Sequence, residues 1–157
     1  MVGEAQALPF IDRLGIEIGA DRETAWDALL EVLARSLESR TSRKAARALG
    51  ASELRASGPR PLSAGSTLPG FRVAAAEDQR RLTLDGSHRF ARHEMVFELT
   101  DLGSGRTELA VITRAEFPGP IGTLYRTLVI GSGGHVIATR RLLAAVGREA
   151  ENREASA

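Results

Sequence analysis

Hydrophobic and polar positions alternate from residue 10 to 18, with Phe10, Asp12, Leu14, Ile16 and Ile18 on one side and Ile11, Arg13, Gly15 and Glu17 on the other. A period of two is that of a half-buried strand. Asp21 follows where an N-cap belongs, and Arg22 to Leu37 places Ala25, Leu29, Val32, Leu33 and Leu37 at helical spacing, with Trp26 beside that stripe. The pattern predicts a helix directly after the strand, with Trp26 as a core anchor. A second, basic helix is expected from Ser42 to Leu49, ended by Gly50 at its C-cap.

From Glu53 the period shortens to that of strands. Alternating runs cover Glu53–Ser57, Leu68–Ala75, Arg80–Asp85, Arg89–Thr100 and Arg106–Phe117, with turn residues such as Gly58-Pro59 and Asp101 to Gly105 between them. They predict an antiparallel meander. Pro118-Gly119-Pro120 breaks the last strand, and Pro120 suits the first turn of a helix. Tyr125, Leu128, Ser132, His135, Thr139, Leu142 and Val146 then recur at helical spacing, which predicts one long amphipathic helix to Ala150. Residues 1–7 are expected to be disordered or extended, residues 8–150 to form a single domain, and the polar residues 151–157 to form a flexible tail.

Composition narrows the class. A chain of 157 residues is the size of one domain. With 43% hydrophobic and 26% charged residues it falls among globular proteins and outside disordered and fibrous ones. Aromatics are only 4%, so the core must be built from Ala, Val, Leu and Ile. The absence of cysteine excludes disulfides, thiolate metal sites and a cysteine nucleophile. Lys44 is the single lysine among 21 basic residues, which face 20 acidic ones, and a net charge of +1 gives no field to attract nucleic acid. The longest uncharged run, Thr127 to Thr139, is interrupted by glycines and falls short of the ~18 apolar residues of a membrane span. Glu4 and the lack of a basic start before an apolar run lead to the expectation of a cytoplasmic protein.

Candidate chemistry is sparse. Met95, Phe97 and Leu99 share the face of their strand that should point inward, and a period of two carries that face back through His93 and Ala91 to Arg89. An apolar wall that turns to His and Arg suits an amphiphilic ligand with an acidic or phenolic end. A bend or bulge there would instead leave His93 and Arg89 at a solvated rim, the usual place for Arg. The histidines His88, His93 and His135 match no zinc spacing, and no metal or other cofactor is expected. His93 and Glu94 are neighbours in a strand and face opposite ways, so they make no acid–base pair. No serine sits in a nucleophile elbow.

Gly131, Gly133 and Gly134 inside the expected helix would each cost about 0.8–1 kcal/mol relative to alanine. A close approach of sheet or ligand, plain close packing, or a bend would account for them. Tyr125 and His135, ten residues apart and so near three turns, are expected on one face, toward the sheet. Arg40, Arg43, Lys44 and Arg47 cluster on one side of the second helix, and without aromatic stacking partners they read as a solvated face.

The order strand, two helices, antiparallel strands, long C-terminal helix, together with "ADRETAWDAL" after the first strand, "GSTLPGFRV" opening a later one and the Pro-Gly-Pro break, resembles the helix-grip fold of the START-like superfamily. That group, also called SRPBCC, includes pollen-allergen-like proteins, lipid-transfer domains and bacterial polyketide cyclases. The resemblance covers residues 8–150 and implies an α+β fold: a curved antiparallel sheet of six or seven strands wrapped around the C-terminal helix, two short helices after the first strand, and an apolar cavity between sheet and helix. Arg89, His93, Met95, Phe97, Tyr125, Leu128, Ser132 and His135 are the candidate ligand contacts. The expected function is the binding of a small hydrophobic or amphiphilic molecule, without covalent chemistry. The alternative is a polyketide cyclase or aromatase-like enzyme of the cyclase/dehydratase kind, in which Arg89, His93, Tyr125 and His135 polarise carbonyls and move protons. The small molecule is the only partner expected, with no nucleic acid and no membrane span, and the sequence is compatible with a homodimer.

Overall fold

The computed structural model describes residues 6–157. The expectation of a disordered or extended segment over 1–7 therefore lies, for residues 1–5, outside the described residues. Strand β1 (Phe10–Ile18) and helix α1 (Arg22–Leu37) coincide with the two periodic segments that predict them. The Asp21 side chain accepts a hydrogen bond of 2.8 Å from the backbone N–H of Thr24, one of the amides that a helix start leaves without a partner. The same bond holds the Asp21 carboxyl below its ordinary range. Helix α2 (Arg40–Leu49) ends at Gly50 in the left-handed conformation.

Strands β2 (Thr67–Leu68), β3 (Phe71–Glu77), β4 (Arg81–His88), β5 (Ala91–Gly103) and β6 (Arg106–Glu116) follow. With β1 they form one curved, fully antiparallel sheet of six strands in the order β1-β6-β5-β4-β3-β2. The first strand therefore closes onto the last. Register shifts between Phe10 and Asp12 and between Val73 and Ala75 bend the two outer parts of the sheet. Two expectations are corrected. Glu53–Ser57 is not a strand: Ser57 makes only an isolated bridge to Thr67, while the Glu53 carbonyl is taken by Gly70 N–H and the Ser52 N–H by Ser87 O. The run Leu68–Ala75 is two strands, because Pro69-Gly70 turns the chain between them.

The third correction concerns the C-terminal helix. In place of one continuous helix the chain forms α3 (Gly119–Arg126), a π-helical turn (Thr127–Gly131) and α4 (Gly134–Ala155). Gly133, at φ 77°, caps α4 from the left-handed region, and a Cβ there would meet nothing within 4 Å. This glycine serves a break in the helix and makes no room for sheet or ligand. Helix α4 packs on α1 and β1, where Leu143 and Val146 join Trp26, Leu29, Phe97 and Leu109 in the core. It runs on through Ala155, so residues 151–155, expected in a flexible tail, are helical. Long polar side chains tie them down: Arg153 pairs with Glu31 and Glu149, and Glu151 accepts a 3.0 Å bond from Gly19 N–H. No described helix is long and apolar enough to cross a membrane.

Candidate functional site

A cavity of about 290 Å³ lies where β4, β5 and β6 face α2, the β2–β3 turn, the α3–π segment and the start of α4. Ligand pockets run from about 300 to 1,000 Å³, so this one suits a small guest. Helix α2 exposes Arg40, Arg43, Lys44 and Arg47 on its outer side and turns Ala46 and Leu49 to the cavity. Met95 and Ala115 on the sheet and Val129 and Ile130 on the π turn complete the apolar walls. A neighbouring depression of about 430 Å³ carries Arg72, Asp85, Arg92 and Glu94, whose mixed charges give no field of one sign.

One wall is aromatic. Tyr125 stacks on Phe90 with ring centroids 5.3 Å apart and meets His88 edge-on at 5.0 Å. His88 in turn lies 5.6 Å from His93, which packs edge-on against Phe71 at 4.9 Å. His93 Nε2 lies 3.2 Å from the Gly70 carbonyl oxygen, and since a carbonyl only accepts, the proton sits on Nε2. His88 Nδ1 accepts from Phe90 N–H at 3.1 Å, which fixes the same tautomer for its own ring, with the neutral proton on Nε2. Removal from water lowers the pKa of His93, opposed in part by the Gly70 bond, and lowers that of His88. It raises the pKa of Tyr125. Near pH 7 this wall therefore carries two neutral imidazoles and a protonated phenol.

Another wall is built from β6 and the first turn of α4, with β1 paired to β6 beside it. His135 Nε2 lies 3.3 Å from Asp12 Oδ2, a close approach without the geometry of a hydrogen bond. Asp12 stands opposite Thr113 in the β1–β6 ladder, and Thr113 and His135 both line the cavity. Asp12 Oδ1, Thr113 Oγ1 and His135 Nε2 are buried without a hydrogen-bond partner among the described residues. Such a group costs on the order of 1–3 kcal/mol while it goes unmet.

Of the eight residues singled out from the sequence, His93, Met95, Tyr125 and His135 line the cavity, while Arg89, Phe97, Leu128 and Ser132 do not. Arg89 is corrected first. The pairs Gly86–His93, Ser87–Arg92 and His88–Ala91 close the β4–β5 hairpin, so Arg89 and Phe90 are its turn, and the inward alternation stops at Ala91. Arg89 is exposed. Phe97 is fully buried in the core. Leu128 is 64% exposed because the π turn rotates it away from the sheet, and Ser132 is exposed with its hydroxyl donating to the Leu128 carbonyl. Asp12, Thr113 and His88 were not singled out as candidates from the sequence. Asp12 carried a signal, a carboxylate on the apolar side of the β1 alternation, and Thr113 interrupts the apolar series of Val111 and Ala115 in the same way. Among the described residues no group of three or more His, Asp or Glu side chains is placed to hold a metal ion.

No family model matches the chain, and no curated protein sequence matches it. Solved structures do. The Zhui aromatase/cyclase from Streptomyces sp. R1128 superposes with a TM-score of 0.61 at 12% identity, covering 90% of this chain and 93% of that one. CalU16 from Micromonospora echinospora gives a TM-score of 0.54 at 16% identity, covering 96% of this chain and 92% of its own. DynU16, from the dynemicin biosynthetic locus, gives 0.53 at 17% identity over 88% of this chain; the match spans only 46% of the DynU16 chain. The fold, a curved antiparallel sheet packed on a long C-terminal helix, is the helix grip, shared with these structures.

Proposed function

We propose that the protein binds a small amphiphilic molecule in the cavity between sheet, α2 and the α3–π segment. The carrying observation is the cavity itself, apolar on most of its surface with a few polar side chains, among them His88, His93, Thr113 and His135, in its lining. A neighbour named as an aromatase/cyclase supports a cavity that accepts ring systems, and residues 8–150 serve as the single binding domain. The test is titration of the folded protein with a neutral apolar fluorophore such as N-phenyl-1-naphthylamine, alongside native mass spectrometry for a retained ligand. One equivalent of dye should bind. Ala91, which is 3% exposed and lines the cavity, allows a matched control. In Ala91→Phe the ring fills the cavity, so dye binding is lost while the protein stays folded. Dye that binds only as the protein unfolds would end the proposal.

A second reading is catalytic, of the cyclase or aromatase kind. His88, His93, Tyr125 and His135 share one small cavity, and His93 is held neutral by desolvation with Nδ1 free to accept a proton. Product formation from a poly-β-ketone thioester, lost in His93→Gln, would favour this reading over plain binding.

A further inference from the structure

We propose that Asp12, Thr113 and His135 form a recognition site for the hydroxyl group of a neutral phenol or alcohol whose ring system fills the apolar part of the cavity. The inference rests on the binding function proposed above and names the ligand class.

Thr113 is 4% exposed, lines the cavity, and has no hydrogen-bond partner for its hydroxyl among the described residues. Asp12 Oδ1 and His135 Nε2 are unpartnered in the same sense, and the two side chains approach to 3.3 Å. Two adjacent strands and the start of α4 thus bring three unmet polar atoms together, two of them on residues that line the cavity, Thr113 and His135. On the aromatic wall one ring nitrogen of each imidazole is engaged: His93 Nε2 on the Gly70 carbonyl, His88 Nδ1 on the Phe90 N–H. Among residues lining the cavity, the polar atoms both buried and unpartnered are therefore Thr113 Oγ1 and His135 Nε2, with Asp12 Oδ1 beside them.

The donor and acceptor types select the guest. A carboxylate only accepts, a threonine hydroxyl does both, and an imidazole offers one of each when neutral. A ligand hydroxyl matches this set, donating to one atom while accepting from another. A hydrocarbon leaves the atoms unmet. A ligand carboxylate would bring like charge against Asp12, and no Arg or Lys lines the cavity among the described residues to offset it. The aromatic wall of Phe71, Phe117 and Tyr125 suits a flat ring system.

The test compares 2-naphthol, its methyl ether, naphthalene and 2-naphthoate, which share a ring system and differ at the polar end. Naphthol should bind about tenfold tighter than naphthalene or the ether, and naphthoate weakest. Thr113→Val, which removes a hydroxyl that has no protein partner, should bring naphthol to within about twofold of naphthalene. Thr113→Ser should restore the preference, and Asp12→Asn should lift naphthoate relative to naphthol. Naphthalene and naphthol binding equally, or naphthoate binding tightest, would overturn the hydroxyl site and leave the cavity function standing. Binding of none of the four would overturn both.

Discussion

Tyr125 of α3 stacks on Phe90 in the β4–β5 turn, with ring centroids 5.3 Å apart. Immediately beside this contact, a Cβ on Gly122 would stand 2.8 Å from the Phe117 carbonyl carbon and 3.2 Å from the Phe90 carbonyl oxygen. The helix that covers one end of the cavity is therefore seated by the contacts of Tyr125 with Phe90, His88 and Phe117 and by one close backbone approach, between Pro118 and Gly133. Stacking of this kind contributes about 0.5–1.5 kcal/mol. Tyr125→Ala removes that contribution together with the area the ring buries, so it should lower global stability by more than about 1 kcal/mol and raise amide hydrogen exchange across residues 119–131 far more than elsewhere. Exchange that rises evenly over the whole molecule would show that α3 is not a separately seated element.

The apolar residues of the C-terminal segment separate into two kinds. Leu143 is 1% exposed in the core, whereas Leu128 is 64% exposed on the π turn. Leu143→Ala should cost about 2–5 kcal/mol in chemical denaturation. Leu128→Ala should stay within about 0.5 kcal/mol of the parent. A large loss at Leu128 would mean that it is covered in solution.

This contrast marks how far the chain can be read without its structure. β1 and α1 are legible to the residue, because a clean period of two gives way to a clean helical stripe at a capping Asp21. The half of the site on β5 is legible for the same reason, since Met95 and His93 follow Phe97 inward. The C-terminal half is less so. Tyr125, Leu128, Ser132 and His135 fit one helical stripe, but a π turn and a left-handed Gly133 change the phase between them, leaving Tyr125 and His135 on the cavity and turning Leu128 out. The Asp12–Thr113–His135 wall depends on which strand pairs with which. Only the closure of β1 onto β6 brings those residues together.

Arg89 offers a direct test of the hairpin register. Its guanidinium lies over the left-handed Gly50 at the end of α2, where a Cβ would be 3.5 Å from Nη2, and its side chain is exposed. Screened by water and outside the cavity, it should contribute little to ligand charge preference. Arg89→Ala should change the affinity of 2-naphthoate and 2-naphthol alike, by less than about twofold. A loss near tenfold confined to the naphthoate would return Arg89 to the ligand site.

Acid sensitivity should follow from the aromatic wall. Burial holds the pKa of His93 and of His88 below the ordinary imidazole value of about 6.5, at which the unfolded chain takes up its protons. In that interval the unfolded state binds more protons than the folded one, so stability rises with pH. The contribution is complete above about 6.5 and is lost progressively as pH falls toward the folded values. Unfolding measured between about pH 7.5 and about pH 5.5 should therefore show stability decreasing on acidification. His93→Gln keeps a polar side chain that does not titrate, and it should flatten that decrease, with His88→Gln removing a further part. The wild-type slope persisting in the double variant, or a wild-type stability that increases toward pH 5.5, would show that these imidazoles are hydrated and that the wall they form is open to water.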